Sequence, residues 1–186
     1  SPFSLDTIGG NVVTLMRVRE ELARRGHRME IESVSPETTL DDVRSVVGES
    51  KPDLVHFYHA YKTGRFLPGF PEIPTVVTLS GTDIAHDIGD AEKRPVVKAA
   101  MDEAGAVMTY NISHAVRIRT LFPEVVGKIT VLPKGVTLGK EPFDPGIEGF
   151  LFFLPGGIRP VKNNLFAAGA VGEDAHLLFA GPILEE

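Results

Sequence analysis

The chain has 186 residues, of which 42% are hydrophobic and 24% charged, which excludes a wholly disordered protein and predicts one globular domain plus part of a second. Its formal net charge of -6 argues against a general nucleic-acid binder, because neutralising phosphates requires a concentrated basic face. The lack of cysteine excludes disulfides, thiolate metal sites and cysteine nucleophiles.

The first third of the chain predicts two helices, each followed by a strand. Apolar residues recur at helical spacing over residues 10–25, and this run ends in a basic turn followed by glycine. Alternation of apolar and polar residues predicts a strand at 29–34. A second helix is predicted at 40–48, with acidic residues in its first turn, and a strand at 53–58.

The same alternation of helix and strand continues to residue 132. The apolar run at 75–79 predicts a short buried strand that leads into a glycine turn. The further predicted elements are a helix at 96–103, a strand at 106–110, a helix at 112–122 and a strand at 128–132. Strands that alternate with helices predict an α/β fold with a Rossmann-like, doubly wound parallel sheet.

Residues 134–149 differ from the rest because two prolines and four glycines occur there with little periodicity, which predicts a linker. It separates a first domain, residues 1–133, from residues 150–186, where a strand at 150–154, a helix at about 163–171 and a strand at 176–180 form one βαβ unit. One such unit is too small to bury both faces of its sheet, so we expect an incomplete second Rossmann-like domain that continues beyond Glu186. Similarly, the first helix should follow a strand that precedes Ser1.

Six histidines leave little basis for a metal site. The close pair, His56 and His59, lies in or next to a predicted strand, where residues at this spacing point to opposite faces and cannot share a metal ion. No apolar run approaches the roughly 20 residues of a membrane helix, and the first residues lack a signal-peptide pattern. We therefore expect no metal, no transmembrane segment and a cytoplasmic location.

Two glycine pairs, Gly9-Gly10 and Gly156-Gly157, precede stretches that predict helix starts. Glycine permits a tight turn and close approach to a ligand, and the first amides of a helix are unpaired and carry partial positive charge. Each pair therefore predicts an anion site at a helix N-terminus. Their positions in different halves of the chain suggest a ligand held across a cleft.

Several short motifs occur in order along the chain. They are the Gly9-Gly10 turn, residues 21–27 (Glu-Leu-Ala-Arg-Arg-Gly-His), residues 78–83 (Thr-Leu-Ser-Gly-Thr-Asp), residues 133–136 (Pro-Lys-Gly-Val) and residues 156–162 (Gly-Gly-Ile-Arg-Pro-Val-Lys). Together they resemble the family 4 (group 1) glycosyltransferases of the GT-B fold. With residues 59–65 (His-Ala-Tyr-Lys-Thr-Gly-Arg), they are similar to a small branch containing the glycosyltransferase 1 domain-containing proteins and the selenosugar synthases. The resemblance covers an acceptor-side N-terminal domain and only the opening of the donor-side domain.

The resemblance implies transfer of a sugar from a nucleotide diphosphosugar, as co-substrate, to a small-molecule or glycan acceptor, with retention of configuration. The loop at Gly9-Gly10 and Lys162 would contact the donor, and amides plus a cation at the diphosphate stabilise the charge that grows as the glycosidic bond breaks. No metal or other cofactor is then required. The residues expected to bind donor or substrate are Gly9, Gly10, Asn11, Ser80, Gly81, Thr82, Gly157, Arg159 and Lys162.

His59 and Asp83 are the catalytic candidates. His59 follows one predicted strand and Asp83 follows the next, at the sheet edge where open α/β sheets place their ligands. A different interpretation of Asp83 is a helix cap, which is the commoner role of Asp at such a place. Asn111 and Ser113 could likewise cap a helix or face the cleft, and capping is the favoured interpretation.

The chain departs from the family pattern in three respects. Many members carry His where Ser80 stands, and Arg where Gly157 stands. Arg159, two residues further along the same turn, offers a replacement for that cation. The acidic donor-binding motif of the second domain has no counterpart because the chain ends first, so we expect the 186-residue chain to be inactive alone.

Two other functions compete with this interpretation. The first is a non-catalytic module that binds a phosphorylated ligand in the same crevice. The second is a nicotinamide dehydrogenase, which the sequence disfavours because no Gly-x-Gly-x-x-Gly follows a strand. In addition, Ser33-Val34-Ser35 stands at the end of the second predicted strand, where a ribose-binding Asp is expected. An acidic pair in a glycine-containing loop beyond Glu186 would favour the transferase over the binding module.

Overall fold

A computed structural model describes residues 1–6, 9–136, 141–142 and 144–183 of the chain. These residues form two compact units, Ser1–Gly135 and Val136–Glu186. The division between the units lies inside the predicted linker at 134–149, of which residues 137–140 and 143 lie outside the described residues. No helix of the described residues is long and apolar enough to cross a membrane.

The first unit is built on a sheet of four parallel strands in the order β1-β2-β3-β4. The strands are β1 (Val55–Tyr58), β2 (Thr75–Leu79), β3 (Ala106–Thr109) and β4 (Ile129–Val131). Its helices are α1 (Gly10–Arg24), α2 (Leu40–Ser50), α3 (Thr82–Ala85), α4 (Arg94–Glu103) and α5 (Ile112–Leu121). Short 3-10 helices cover Gly64–Gly69, Asp87–Gly89 and Pro123–Lys128. The predicted α/β fold with a parallel sheet is confirmed.

Local side-chain chemistry explains where two of the helices begin. At α2, the Thr39 hydroxyl accepts a hydrogen bond from the Asp42 amide while the Asp42 carboxylate accepts one from the Thr39 amide, a reciprocal capping box. At α5, the Asn111 side chain accepts a hydrogen bond from the His114 amide at 2.8 Å. The predicted cap at Asn111 is therefore confirmed.

One face of the sheet and the helices packed on it form the apolar core of the first unit. Phe57, Val77 and Val107 point into this core from three adjacent strands, where α4 and α5 cover them. The buried residues that these helices contribute are Val97, Ala100, Met101 and Ile118. Burial of the sheet under helices on this face is typical of parallel sheets.

The opposite face of the sheet carries aromatic and polar side chains. The register pairs Tyr58 with Thr78 and Thr78 with Met108, and His56 shares their face because it lies two residues before Tyr58. His56 Nε2 lies 2.6 Å from the Thr78 hydroxyl, and Phe3 packs edge-on against Tyr58. Burial lowers the pKa of His56 to about 4, with a smaller contribution from the N-terminal ammonium, so this face holds a neutral imidazole.

The predicted strand at residues 29–34 is wrong, because these residues join neither sheet. Two hydrogen bonds tie the segment to the chain start: the Ser1 ammonium donates to the Glu32 carbonyl, and the Val34 amide donates to the Ser1 carbonyl, each at 2.8 Å. Ser1 takes part in both hydrogen bonds. An alternating pattern can predict a strand, but a ladder also needs a partner strand, which local sequence does not reveal.

The second unit contains one βαβ arrangement, as predicted. Strands β5 (Phe150–Pro155) and β6 (Ala175–Ala180) are parallel neighbours, and α6 (Asn164–Ala170) lies between them in sequence. A 3-10 helix covers Pro160–Lys162. Several large apolar side chains of this unit are exposed: Phe150, Phe152, Phe153, Leu165, Phe166 and Ile183.

Candidate functional site

Polar residues follow each strand of the first sheet at its carboxyl end. His59 comes directly after β1, Ser80 after β2 and Tyr110 after β3. Lys134 follows β4 by three residues. Because parallel strands end at one edge, these residues mark the edge where open α/β sheets bind ligands. The structure brings the predicted residues His59, Thr82 and Asp83 into direct contact at this edge.

His59 is held in an unusual and fully defined conformation. Its φ of 92° lies in the left-handed region, which is rare for a residue other than glycine, and its side chain is 1% exposed. Nδ1 accepts a hydrogen bond from the Lys62 amide at 3.2 Å, so Nε2 carries the proton. Nε2 then donates to the Thr82 hydroxyl at 2.9 Å. Both ring nitrogens are therefore occupied within the protein.

Asp83 connects the turn after β1 to the turn after β2. Its side chain is fully buried, and Oδ2 accepts hydrogen bonds from the amides of Ala60 at 3.0 Å and Ser80 at 3.1 Å. Oδ1 accepts from the amides of Gly81 at 2.8 Å and Ile84 at 3.1 Å. A carboxylate has about four lone-pair sites, so all of them are filled by backbone donors. Asp83 thus cannot accept a substrate proton without losing one of these bonds.

Two carboxylates lie close to His59, but its imidazole stays neutral. The Asp83 carboxylate lies 3.8 Å from Nδ1 and the Asp87 carboxylate 3.8 Å from Nε2, and each favours the imidazolium form. Burial opposes them and is the larger effect, so the pKa of His59 is lowered. Lys93 donates to Asp87 at 3.2 Å, and this hydrogen bond raises the pKa of Lys93. The pairing of Asp87 with Lys93 leaves His59 as a neutral hydrogen-bonding group.

The glycine pair at the start of α1 is not explained by the packing of the chain. Gly9 is the N-cap residue and has φ -160°, which any residue can adopt. A Cβ added at Gly9 or Gly10 would meet nothing within 4 Å among the described residues, whereas at Gly64 it would lie 2.6 Å from the Ala100 Cβ. The start of α1 also has no side-chain cap and no acidic residue in its first turn. Among the described residues, side chains at both positions would therefore be tolerated.

Three residues that the sequence analysis did not propose for the site lie close to this helix start. The Lys134 ammonium donates to the Asn11 side-chain oxygen at 3.3 Å and lies 4.4 Å from the centre of the Tyr110 ring. The Tyr110 ring is 6.2 Å from that of Tyr58. Both phenol hydroxyls are buried without a hydrogen-bond partner among the described residues, and each such group costs about 1–3 kcal/mol. The motif at 133–136 was the available signal for Lys134.

In the second unit, the helix predicted at about 163–171 is formed as α6, but Gly156-Gly157 does not lie at its start. Gly156 has φ +138°, so a turn does require glycine there. The chain then forms a single parallel bridge between Ile158 and Ile183, and α6 begins only at Asn164. Gly157 therefore does not lie at a helix N-terminus, because pairing with the residues after β6 continues past the turn.

The two cations predicted in this unit lie on either side of Pro160. The Arg159 amide donates to the Asn164 side-chain oxygen at 3.4 Å. The Nε of the Arg159 guanidinium is buried without a partner among the described residues. Lys162 is exposed at the end of the 3-10 helix. Within the described part of the chain, no group of three or more His, Asp or Glu side chains could hold a metal ion.

The parallel sheets and the helices between their strands define a Rossmann-like α/β protein of the GT-B-like class. No family model matches the chain. The chain is 26% identical over 197 aligned residues to Glycosyltransferase 1 domain-containing protein 1 of Xenopus tropicalis, which confirms the resemblance predicted from the motifs. The alignment covers 95% of this chain and 56% of that protein.

A solved structure supports the same fold. A protein described as a UDP-N-acetylglucosamine 2-epimerase from Listeria monocytogenes superposes with a TM-score of 0.52 at 12% sequence identity. The match covers 90% of this chain and 57% of the solved one, and it concerns the fold alone. The chain thus spans little more than half the length of either of these two relatives.

Proposed function

We propose that the chain is the acceptor-side domain, with the beginning of the donor-side domain, of a glycosyltransferase that uses a nucleotide diphosphosugar. The observation that carries this proposal is the open start of α1, where two glycines have no structural reason among the described residues to lack side chains. Similarity to a glycosyltransferase 1 domain-containing protein supports it. Retention of configuration is the outcome that the resemblance implies.

The helix start is suited to a diphosphate leaving group. Negative charge grows on the diphosphate as the glycosidic bond breaks. The amides of Gly10 and Asn11 have no hydrogen-bond partner among the described residues, and they are fixed donors that need no reorganisation. In the proposed complete enzyme, Gly157, Arg159 and Lys162 contact the same donor from the second domain. Since the chain spans only 56% of the matched glycosyltransferase 1 domain-containing protein, we expect no turnover by the 186-residue chain alone.

The turns after β1 and β2 bind the acceptor in this proposal. Ser80, Gly81 and Thr82 present the contacts, while His59 and Asp83 hold the two turns together. Burial and saturation of Asp83 favour this positioning role over direct proton transfer. The catalytic assignment of His59 and Asp83 remains a prediction from sequence.

A phosphate-binding module without catalytic activity is the second candidate. It is favoured by the same saturation, since neither His59 nor Asp83 has a free acceptor for a substrate proton. The two functions differ in one measurable respect. A transferase releases a nucleoside diphosphate in the presence of acceptor, or slowly by hydrolysis without it, whereas the module binds the nucleotide sugar and returns it unchanged.

The test uses the full-length protein and a panel of nucleotide sugars in calorimetric titrations, with release of nucleoside diphosphate followed in parallel. Gly10→Ala would place a methyl group in the proposed donor space, and we expect binding to weaken about tenfold or more while thermal stability is maintained. Gly48→Ala is the matched control, because Gly48 is also helical and also open to added volume. Equal affinity of parent and Gly10→Ala would contradict the donor assignment.

A further inference from the structure

The motif at 133–136 has no role in the function proposed above, yet it places a cation at the start of α1. Lys134 Nζ donates to Asn11 Oδ1 at 3.3 Å, and Asn11 belongs to the first turn of α1. The Arg17 guanidinium donates to the Gly135 carbonyl at 3.1 Å. The motif is thus tied to α1 at two points, and both of its contacts lie within the first unit. We call Lys134, Asn11, Tyr58 and Tyr110 the Lys134 cluster.

The charge of Lys134 is not compensated by an acidic group. Lys93 lies 3.2 Å from the Asp87 carboxylate and Lys98 lies 2.6 Å from that of Asp102. No carboxylate lies within 4.0 Å of the Lys134 ammonium among the described residues, and its neighbours are an amide oxygen and the Tyr110 ring. Burial lowers the pKa of Lys134, but the residue retains an exposed surface. The cation is accessible, and the described residues provide it with no counter-ion.

The two tyrosines of the cluster add unused hydrogen-bond donors. The Tyr58 side chain is 2% exposed, and its hydroxyl has no partner among the described residues; the Tyr110 hydroxyl is in the same state. Burial raises the pKa of Tyr110, so the phenol keeps its proton. A cation, unused phenol donors and a helix start without acidic residues all favour an oxygen-rich anion, or the waters that such an anion orders.

We propose that the Lys134 cluster is a phosphate-binding subsite of the first unit, with Lys134 as its cation and the Asn11 amide nitrogen as a neighbouring donor. The ligand's identity as a substrate rests on the proposed function, but the binding of an anion does not. The phosphate belongs either to the donor diphosphate or to a phosphorylated acceptor. Both sources share the same chemistry at Lys134, and competition with a nucleotide sugar distinguishes them.

The experiment titrates inorganic pyrophosphate and inorganic phosphate into the full-length protein by calorimetry at low and at moderate salt. For Lys134→Met, which keeps the length of the side chain, we expect affinity to fall about tenfold or more and the salt dependence to weaken. Lys134→Arg should retain most of the affinity, and Tyr110→Phe should lose a few-fold. Lys128→Met is the matched control, since Lys128 donates to the Asp102 carbonyl and lies at the opposite end of β4.

Each outcome is decisive. Displacement of a bound nucleotide sugar by pyrophosphate assigns the subsite to the donor, whereas simultaneous binding assigns it to the acceptor. Lys134-dependent binding of pyrophosphate, in a protein that binds and transfers no nucleotide sugar, would support the subsite and contradict the proposed function. The subsite is overturned if the parent binds neither probe, or if Lys134→Met binds both as tightly as the parent.

Discussion

Asp83 illustrates how one buried carboxylate can determine the shape of a ligand-binding edge. Its two oxygens accept four backbone hydrogen bonds from two successive turns, and they have no capacity left. Such a residue is needed whenever substrate binds at these turns, even if it never contacts the substrate. We therefore expect substitution of Asp83 to lower the stability of the fold.

Asp83→Asn replaces one acceptor oxygen by an NH2 group, which then faces backbone N–H donors. We expect the free energy of unfolding to fall by about 2–4 kcal/mol, because buried hydrogen bonds to a charged group are lost and donors are left unpaired. Urea denaturation of the chain measures this. Asp41→Asn is the control, since the Asp41 side chain is 91% exposed and should contribute less than about 1 kcal/mol.

The same variant separates the two roles of Asp83. In the full-length protein, a positioning residue predicts weaker substrate binding together with lower stability. A catalytic base predicts unchanged stability and a lower turnover rate with substrate binding preserved. The second result would restore Asp83 as a catalytic residue.

At the scale of elements, the turn after β1 is shaped by its contact with α4. A Cβ at Gly64 would lie 2.6 Å from the Ala100 Cβ, so the 3-10 helix Gly64–Gly69 can approach α4 only because Gly64 has no side chain. The close approach fixes the turn that carries His59, whose carbonyl accepts hydrogen bonds from the Thr63 and Gly64 amides. Helix packing in the core thus determines the geometry of the ligand edge.

Gly64→Ala should destabilise the chain by about 1–3 kcal/mol, because overpacking forces α4 and the 3-10 helix apart. Adding Ala100→Gly should recover part of this loss, although glycine has a lower helix propensity than alanine and itself destabilises α4. A double-mutant cycle measures the interaction energy between the two positions. Gly127→Ala is the matched control, since Gly127 also lies in a 3-10 helix and has open space around it. Additive effects of the Gly64 and Ala100 substitutions would contradict the contact.

Elements with their own local signals were predictable from the sequence. The strand at 75–79 is formed with the predicted bounds because it is an apolar run between turn residues, and α5 begins where Asn111 can cap it. The segment at 29–34 failed because strand pairing depends on a partner that its own residues do not specify. The helix predicted at about 163–171 is formed as α6, but Gly156-Gly157 does not lie at its start, because a bridge from Ile158 to Ile183 extends the pairing of the chain past the turn.

The candidate site was predictable only in outline. The carboxyl ends of parallel strands share an edge, so the proximity of His59 to Thr82 and Asp83 followed from the strand pattern. The burial of His59 and Asp83 did not follow from the pattern, since burial depends on tertiary packing. Lys134 contacts Asn11 across 123 residues of sequence, and no local pattern predicts such a contact.

At the scale of the whole molecule, the two units differ in how completely their apolar surface is covered. Among the described residues, the first unit has a core of buried side chains from the strands β1, β2 and β3 and from the helices α3, α4 and α5. The second has two strands, a seven-residue helix and no buried residue in that helix. A two-stranded arrangement with large exposed apolar side chains provides little burial to oppose conformational entropy.

Hydrogen exchange of the 186-residue chain should therefore separate the units. We expect the amides of β5 and β6 to exchange at least about 100-fold faster than those of β2 and β3, because local opening of the second unit exposes little additional apolar surface. Mass spectrometry of peptic fragments measures this difference. Self-association through exposed Phe152 and Phe166 could protect the second unit, so the exchange is followed at several protein concentrations. Equal protection of β5 and β2 at all protein concentrations would show that the second unit is stable by itself. The low stability of this unit would then no longer be a reason to expect an inactive chain.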